Sequence, residues 1–314
     1  MDTFSASHFR DDDAARAYLE RLRWPVGTVC PHCGVVGHSY KTPTPGRYRC
    51  AEKECRKDFT VTVNTPMERS HIALHKWLQA FALMTSSKKG ISAHQLHRTL
   101  GITYRSAWFM SHRIRECMRT GGLAPLGGEG KIVEADETYF GKQEGERKRA
   151  RKRRGPFTKK GHYKNNRPVV ALVERGGNVR SFHVPIADQR EVQKIIRENI
   201  ARETTLHTDE SRLYTYATDH VAARETVTHS AGEYVRDHVH TNTIEGYFSI
   251  FKRGMRGVYQ HCKEKHLHRY LAEYDFRYNT RTALGYNDGD RAALAIKSAD
   301  GKRLTYRGTN EARF

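Results

Sequence analysis

The spacing of apolar residues changes along the chain, and each change predicts a different kind of structure. Residues 74–118 have a helical period, residues 131–229 alternate or run apolar as strands do, and residues 240–252 return to a helical period. A glycine-rich stretch, residues 121–130, precedes the strands and is typical of a linker. The pattern therefore predicts a helical part and a later part that is built on strands.

The stretch from His240 to Lys252 separates into two faces when it is drawn as a helix. The apolar stripe contains Ile244, Phe248, Phe251 and Met255, and the polar stripe contains Asn242, Glu245, Ser249 and Lys252. One interpretation of Glu245 is a capping box, in which Asn242 caps the helix and Glu245 reaches back to a backbone N–H. The other is that Glu245 meets acidic residues from elsewhere in the chain. The stretch by itself leaves both interpretations open.

Three helices are predicted between residues 66 and 120. The second can start at the cap Ser92 and stop at Gly101, and Thr103 can cap the third. In the third helix the residues expected to face inward are Ala107, Met110, Ile114 and Met118, and those expected to face outward are Arg105, His112, Arg113 and Arg115. A short turn with glycine before a basic helix is typical of a helix-turn-helix that contacts DNA through residues such as Arg105 and Arg113. A plain three-helix packing unit is the alternative.

Five strands and three helices are predicted after the linker. In chain order they are strands 131–140, 168–175 and 179–185, helix 190–201, strand 204–209, helix 210–218, strand 225–229 and helix 240–252. This is the order of an RNase H-like core, in which the first and fourth strands are neighbours. Alternation along the first strand places Glu134 and Asp136 on one face and Glu137 on the other.

Three acidic residues occupy related places in this order. Asp136 lies on the first strand and Asp209 ends the fourth, so their carboxylates would lie close together and repel unless a cation is bound. Glu245, on a helix packed across the sheet, would complete a site for two Mg²⁺ or Mn²⁺ ions. Asp136 alone would be taken for an ordinary surface acid. The three together predict a metal-dependent catalytic site.

Four of the six cysteines form two close pairs near the N-terminus. Two residues separate Cys30 from Cys33, and four separate Cys50 from Cys55, on two predicted hairpin turns. Such turns place four thiolates in the closed tetrahedral arrangement of structural Zn²⁺, and buried free cysteines are the alternative. A closed site has no open position for a substrate. This zinc ribbon is therefore expected to be structural or to dock on DNA.

The charge balance indicates the class of partner. The chain has 55 Lys and Arg against 35 Asp and Glu, a formal charge of +20, which favours a nucleic acid. Seven of the eight residues from 147 to 154 are basic. We expect Arg151 and Arg153 in this run to contact the DNA backbone, with a solvated loop as the alternative.

No membrane partner is expected. Apolar runs such as residues 169–173 are too short to span a bilayer, and the first residues lack the pattern of a signal peptide. The chain is therefore predicted to be cytoplasmic and nucleoid-associated. Thiols stay reduced in that compartment, which favours zinc over disulfides as the role of the paired cysteines.

Taken together, the motifs resemble those of the DDE transposases of bacterial insertion sequences, in the group that has an N-terminal zinc ribbon. The resemblance covers nearly the whole chain. It rests on Cys30-Pro-His-Cys33 with Cys50 and Cys55, Glu134-Ala-Asp-Glu-Thr-Tyr-Phe-Gly141, His207-Thr-Asp-Glu210, and His240-Thr-Asn-Thr-Ile-Glu-Gly-Tyr-Phe-Ser-Ile-Phe-Lys-Arg253.

The resemblance implies an enzyme that binds double-stranded DNA at the terminal repeats of its element. Asp136, Asp209 and Glu245 would form the catalytic triad, cleave a phosphodiester with Mg²⁺ or Mn²⁺, and join the freed 3′-hydroxyl to target DNA. Lys252 would contact substrate phosphate. Arg253, beside it, and Asn242 are also expected to bind DNA phosphates, and Asn242 would in addition serve as a cap or as a partner of the site. Because two ends are cut and joined together, a homo-oligomer, a dimer or larger, is expected.

The expected fold class is multidomain α+β. Its predicted parts are a lead-in helix (1–24), a zinc ribbon (25–65), a helix-turn-helix DNA-binding domain (66–120), a linker (121–130), an RNase H-like α/β catalytic core (131–281) with a basic insertion (142–165), and a loosely structured C-terminal tail (282–314). Two other functions stay open. One is a nuclease or resolvase that cleaves without joining, and the other is a zinc-ribbon DNA-binding regulator with an inactive core.

Overall fold

The chain divides into two compact units in the computed structural model, which describes residues 4–119, 121, 123–143, 166–233 and 235–305. The first unit combines Met1–Thr120 with Tyr286–Phe314, and the second is Gly121–Gly285. The described residues form eight α-helices and ten β-strands. The helices are α1 (Asp12–Arg23), α2 (Leu74–Ser86), α3 (Ala93–Leu100), α4 (Tyr104–Met118), α5 (Gln189–Asn199), α6 (Asn242–Gly254), α7 (Leu267–Asn279) and α8 (Asp288–Lys297). The strands are β1 (Ser39–Lys41), β2 (Arg47–Cys50), β3 (Asp58–Thr60), β4 (Ile132–Lys142), β5 (Asn166–Glu174), β6 (Val179–His183), β7 (Thr205–Asp209), β8 (Ala223–Val227), β9 (Val235–Arg236) and β10 (Val239–His240).

Strands β1, β2 and β3 form a small antiparallel ribbon in the first unit. Tyr48 of β2 and Phe59 of β3 stack with their ring centroids 5.8 Å apart, and Trp24 packs edge-on against both rings. A sheet of this size has a small core. Folds with small cores commonly depend on a metal ion or another cross-link for stability.

Helices α3 and α4 begin and end where the cap residues predict. The side chain of Ser92 accepts a hydrogen bond from the backbone N–H of Gln95, and that of Thr103 accepts one from Ser106, each over 3.1 Å. Gly101 ends α3 in the left-handed region at φ 59°, which glycine adopts without a steric penalty. The predicted boundaries of both helices are therefore confirmed.

Helix α4 is buried over a wider surface than the sequence predicts. The residues expected to face inward are buried: Ala107, Met110, Ile114 and Met118. His112 and Arg115 were expected to face outward, but each is only 2% exposed, so that part of the prediction is wrong. The reason is that α2, α3 and α8 all pack against α4, whereas an apolar stripe marks only one covered face.

The C-terminal segment of the first unit contains a packed helix. A loosely structured tail was expected from residue 282, but α8 begins with a capping box in which Asn287 and Asp290 bond each other's backbone N–H groups. Ala292, Ala295 and Ile296 of α8 are buried, and the helix packs against α2. The expectation of a loosely structured tail is therefore wrong for the residues of α8. Asn287 and Asp290 form a helix-start signal in the sequence, but the neighbouring glycines suggested a loop instead.

The second unit is built on a five-stranded sheet with the order β6-β5-β4-β7-β8. Strands β4, β5 and β6 are antiparallel neighbours, whereas β7 runs parallel to β4 and β8 runs parallel to β7. The predicted first and fourth strands correspond to β4 and β7. Their predicted adjacency is confirmed.

Both faces of this sheet are covered by helices. On one face, Val170 and Leu172 of β5 share a core with residues of α5. On the other face, Val169, Ala171 and Val173 share a core with residues of α6 and α7. The central strands are therefore buried on both sides, with α5 below the sheet and α6 and α7 above it.

Helix α6 confirms the predicted apolar stripe. The four stripe residues are at most 4% exposed: Ile244, Phe248, Phe251 and Met255.

The predicted helix over residues 210–218 is wrong, because the segment forms two short 3₁₀ turns, Arg212–Tyr214 and Ala217–Asp219. Asp209 and Ser211 accept hydrogen bonds from backbone N–H groups two residues further on, and such local bonds favour turns over helix.

Candidate active site and zinc site

The register between β4 and β7 places two predicted acidic residues side by side. The ladder pairs Ile132 with Thr205 and Glu134 with His207. The same offset, carried two residues further along each strand, places Asp136 beside Asp209. Val133 and Ala135 belong to the core that α5 covers, so alternation directs Asp136 toward the opposite face, where α6 lies.

The electrostatics of Asp136 show that several carboxylates surround it. Its pKa is raised to about 8, chiefly by burial and then by the charges of Glu137 and Asp209. A hydrogen bond from the backbone N–H of Glu137, 2.8 Å long, opposes the shift. The carboxylate of Glu245 raises the pKa further. Asp136 thus lies close enough to Asp209 and to Glu245 for its carboxylate to interact with the charge of each.

Asp209 has a similar environment at the end of β7. Burial raises its pKa, while the backbone N–H of Ser211, 3.0 Å from Oδ1, stabilises the charged form. The neighbouring carboxylate of Glu210 raises the pKa again, and His229 and Arg224 lower it. Glu210 itself points elsewhere, because its carboxylate accepts hydrogen bonds from the backbone N–H groups of His229 and the next residue.

Glu245 is not part of a capping box. Helix α6 has Thr241 as its N-cap, without a side-chain cap, and Asn242 is the first helical residue and is exposed. The carboxylate of Glu245 instead accepts a hydrogen bond from the hydroxyl of Thr241 over 3.1 Å. The ring Nε2 of His229 lies 3.9 Å from the same oxygen. The capping-box interpretation, with Asn242 as cap, is therefore wrong.

Lys252 lies on the same helix, two turns after Glu245. Burial lowers the pKa of its ammonium group, the charge of Asp136 raises it, and Arg256 lowers it. The structure therefore brings this lysine near Asp136. Arg253 is exposed, and its Nε donates a hydrogen bond to the carbonyl of Ser249 within the helix over 3.2 Å.

The three acidic residues offer a donor set that suits a hard divalent cation. Mg²⁺ and Mn²⁺ prefer carboxylate oxygens, and Asp209 and Glu245 carry such oxygens close enough to Asp136 to raise its pKa. Burial and neighbouring carboxylates raise the pKa values of Asp136 and Asp209, although His229 and Arg224 lower that of Asp209, and a bound cation would relieve this repulsion. The residues present therefore fit such an ion.

Glu137 is a fourth carboxylate near this site. As alternation predicts, it points to the face that α5 covers, where the hydroxyl of Tyr214 donates a hydrogen bond to its Oε2 over 3.0 Å. Burial and the charge of Asp209 raise its pKa. Its contact with Tyr214 could not be predicted, because Tyr214 was assigned to a helix and is instead the fully buried end of a 3₁₀ turn.

Another cluster of candidate ligands contains His207, Glu225 and His238, whose donor atoms lie within 4.8 Å of one another. Nη2 of Arg175 lies 3.1 Å from Nδ1 of His207. The same Nη2 also lies 2.9 Å from Nδ1 and 2.9 Å from the backbone carbonyl oxygen of His240. Nε2 of His207 faces Oε2 of Glu225 at 3.3 Å, and Nε2 of His238 lies 3.4 Å from the same oxygen. Nε2 of His207 and Oε2 of Glu225 are both buried, and neither has a hydrogen-bond partner in the part of the chain that the structure describes.

The four paired cysteines meet in the ribbon of the first unit. The Sγ atoms of Cys30 and Cys55 are 3.8 Å apart, those of Cys33 and Cys50 are 3.6 Å apart, and all four lie within 4.8 Å of one another. A tetrahedral site with Zn–S bonds of about 2.3 Å places its sulfur atoms about 3.8 Å apart. The cluster thus fits a structural Zn²⁺ ion.

The predicted DNA contacts outside the acidic site have different environments. Arg105 is exposed on α4. Arg113 is half-buried, and it donates to the backbone carbonyls of Pro66 and Leu304 over 2.8 and 3.1 Å, so it links segments within the first unit.

The predicted contacts in the basic insertion cannot be placed. Arg151, Arg153 and the rest of the basic run 147–154 lie outside the described residues, together with nearly all of the predicted insertion 142–165.

Among the helices that the structure describes, none is long and apolar enough to cross a lipid bilayer.

Comparisons with known proteins match both parts of the chain. Residues 10–58 match the transposase zinc-ribbon domain, and residues 125–279 match the ISXO2-like transposase domain. An uncharacterized protein in the transposable element ISH50 of Halobacterium salinarum is 30% identical over 263 residues, which cover 80% of this chain and 86% of that protein. The ribbon match and the four-cysteine cluster both support structural zinc. The chain therefore belongs to the family of insertion-sequence transposases that combine a zinc ribbon with an ISXO2-like transposase domain.

Proposed function

We propose that this chain is a DDE-type transposase that binds the ends of its insertion sequence, cleaves phosphodiester bonds there, and joins the 3′-hydroxyl ends to target DNA. The observation that supports the proposal is the register of β4 and β7, which aligns Asp136 with Asp209, together with the charges of Asp209 and Glu245, which both raise the pKa of Asp136. The sheet order, with β4 at its centre, supports an RNase H-like core. The family match supports the same activity.

In this proposal Asp136, Asp209 and Glu245 hold Mg²⁺ or Mn²⁺. Divalent cations bound there would supply electrostatic stabilisation of the reacting phosphate and activation of the attacking oxygen. The hydroxyl of Thr241 orients the carboxylate of Glu245, which fixes one donor of the set. The ammonium group of Lys252, close to Asp136, binds a substrate phosphate beside the acidic residues.

DNA binding in this proposal uses both units. The formal charge of +20 supplies attraction to the phosphate backbone, which is strong at low salt and weak at high salt. Arg105 on the exposed side of α4 contacts the element's end through a helix-turn-helix formed by α3 and α4. The zinc ribbon docks on the same DNA. Because two ends are joined together, the active form is a dimer or larger.

Cleavage of an element end tests this proposal. A labelled duplex that carries the native end is incubated with the full chain and Mg²⁺, and nicking is compared between the parent and Asp136→Asn. We expect the variant to lose at least about a hundredfold in rate, because one metal-binding carboxylate is gone. Asp219→Asn, at an exposed aspartate in a 3₁₀ turn, is the matched control and should cleave like the parent.

The outcomes separate the candidate functions. Equal nicking by the parent and Asp136→Asn would show that this carboxylate does not serve the reaction. Binding of the duplex without any Mg²⁺-dependent nicking by the parent would favour a DNA-binding regulator with an inactive core. Either result would overturn the proposal.

A further inference from the structure

Glu134 is a buried carboxylate two residues before Asp136 on β4. Its side chain is 0% exposed, and alternation directs it to the same face as Asp136. A buried charge is costly unless hydrogen bonds and an opposite charge stabilise it. The structure supplies both, and they come from the elements that lead into α6.

The first contact of Glu134 is with the start of α6. The first N–H groups of a helix have no partner within the helix, and Thr241 provides no side-chain cap. Oε2 of Glu134 accepts a hydrogen bond from the backbone N–H of Ile244 over 3.0 Å, and Oε1 accepts one from the hydroxyl of Thr243 over 2.8 Å. The carboxylate of Glu134 on β4 therefore caps α6, and its negative charge is stabilised by the positive N-terminal end of the helix dipole.

The second contact is with Arg175, which directly follows β5. Nε of Arg175 donates to Oε1 of Glu134 over 2.7 Å. The same guanidinium group donates to the carbonyls of His238 and His240 over 2.7 and 2.9 Å, in the chain that enters α6. The backbone N–H of Arg175 is bonded to the carbonyl of Ile132, so the arginine is itself held against β4.

These contacts link two residues of the acidic site. Asp136 shares its strand and its face with Glu134, and Glu245 directly follows Ile244, whose N–H Glu134 holds. The carboxylate of Glu134 thus fixes the start of the helix that carries Glu245 relative to the strand that carries Asp136. Metal ligands need to be held within a fraction of an ångström by the groups around them.

We propose that Glu134 is a positioning residue that sets the separation of the Asp136 and Glu245 carboxylates, and thereby the affinity of the site for divalent cations. The proposal rests on the function proposed above. Glu134 does not itself bind the ion, because Arg175, Thr243 and the Ile244 N–H occupy its two oxygens.

The test is the affinity of the zinc-loaded full chain for Mn²⁺, measured by isothermal titration calorimetry. Glu134→Gln keeps the size of the side chain but removes its charge and replaces one acceptor by a donor. We expect its Kd for Mn²⁺ to rise at least about tenfold, as changes behind metal ligands commonly do. The Mg²⁺ concentration that gives half-maximal cleavage should rise by a similar factor.

The matched control is Glu273→Gln. Glu273 is also 0% exposed, and it pairs with Arg277 on α7. This variant should unfold at a lower temperature yet bind Mn²⁺ like the parent. An unchanged Kd in Glu134→Gln, or an equal rise in Glu273→Gln, would overturn the proposal. Equal Mn²⁺ binding by the parent and Asp136→Asn would instead overturn the proposed function, and this inference with it.

If Glu134→Gln does not fold, a milder pair of variants at Thr243 tests whether Glu134 positions the metal ligands. Thr243→Ala removes one donor to Glu134, whereas Thr243→Ser keeps the hydroxyl. We expect Thr243→Ala to raise the Kd for Mn²⁺ several-fold and Thr243→Ser to match the parent. A parent-like Kd in Thr243→Ala would count against the positioning role.

Discussion

The hydroxyl of Thr241 donates a hydrogen bond to Oε1 of Glu245 over 3.1 Å, and the backbone N–H of Glu245 donates to the carbonyl of Thr241 over the same distance. Thr241 is only 2% exposed, so its own position is fixed by packing. The two bonds close a single helical turn. The hydroxyl of Thr241 therefore orients one carboxylate oxygen of Glu245.

Replacement of this hydroxyl should lower cleavage without unfolding the chain. Thr241→Val has nearly the same shape but lacks the donor, and the loss of one orienting hydrogen bond of about 1 kcal/mol corresponds to about fivefold in rate. Thr241→Ser keeps the donor and should cleave like the parent. Cleavage rates at saturating Mg²⁺ provide the comparison, and equal rates for the valine and serine variants would contradict the orienting role.

The zinc ribbon should depend on its four cysteines. Cys50 is 0% exposed within the cluster, so Cys50→Ser should lower the zinc content from about one ion per chain to near zero and lower the unfolding temperature of the first unit. Cys262→Ser, which lies outside the cluster, should keep its zinc. Zinc content by mass spectrometry and thermal unfolding are the measurements. Full zinc content in Cys50→Ser would exclude the four-cysteine site.

The stability of the second unit should change with pH through Asp275. This carboxylate accepts hydrogen bonds from the hydroxyls of Tyr247 and Ser181 over 2.6 and 2.7 Å, yet burial raises its pKa from 3.8 to about 7. Between pH 4 and 7 the folded chain therefore holds a proton that the unfolded chain has lost. The free energy of unfolding should fall as pH rises through this range, by at most about 4 kcal/mol from this group.

Asp275→Asn isolates that contribution because an amide does not titrate. Urea unfolding of parent and variant at several pH values between 4 and 7 gives the difference in their free energies of unfolding. We expect the difference to shift steadily in favour of the variant as pH rises. A difference that stays constant over the range would show that Asp275 has an ordinary pKa in the folded chain.

Helix α8 should contribute to the stability of the first unit. Ile296 is 2% exposed, so Ile296→Ala should lower the free energy of unfolding by about 2–4 kcal/mol. Lys297→Ala, at the exposed last position of the same helix, should change it by less than about 0.5 kcal/mol. Denaturant unfolding of the full chain measures both. Equal stability of the two variants would restore the expectation of a loosely structured tail.

Local signals in the sequence predicted the boundaries of α3 and α4, and the order of elements predicted the adjacency of β4 and β7. Ser92, Gly101 and Thr103 act through bonds and dihedral angles within a few residues, so the caps can be read from the sequence alone. The apolar period of α6 likewise predicted its buried face. The predicted adjacency of the first and fourth strands placed Asp136 near Asp209, and the register of β4 and β7 agrees with it.

Tertiary contacts explain what the sequence did not predict. Asn242 and Glu245 have capping-box spacing. However, the backbone N–H of Ile244 donates a hydrogen bond to Glu134 on a strand distant in sequence, and the hydroxyl of Thr241 donates one to the carboxylate of Glu245. His112 on α4 is buried because several helices surround that segment. Alternation had placed Glu134 beside Asp136, and this was the one signal for its role.

Strand transfer is the most direct test of the proposed function. A duplex with a pre-cut element end and a free 3′-hydroxyl is incubated with target plasmid, Mg²⁺ and either the parent or Glu245→Gln. We predict that the parent joins the end to the plasmid and that the variant forms at least about a hundredfold less product. Cleavage of an intact end by the parent without any joined product would contradict a transposase and indicate a nuclease.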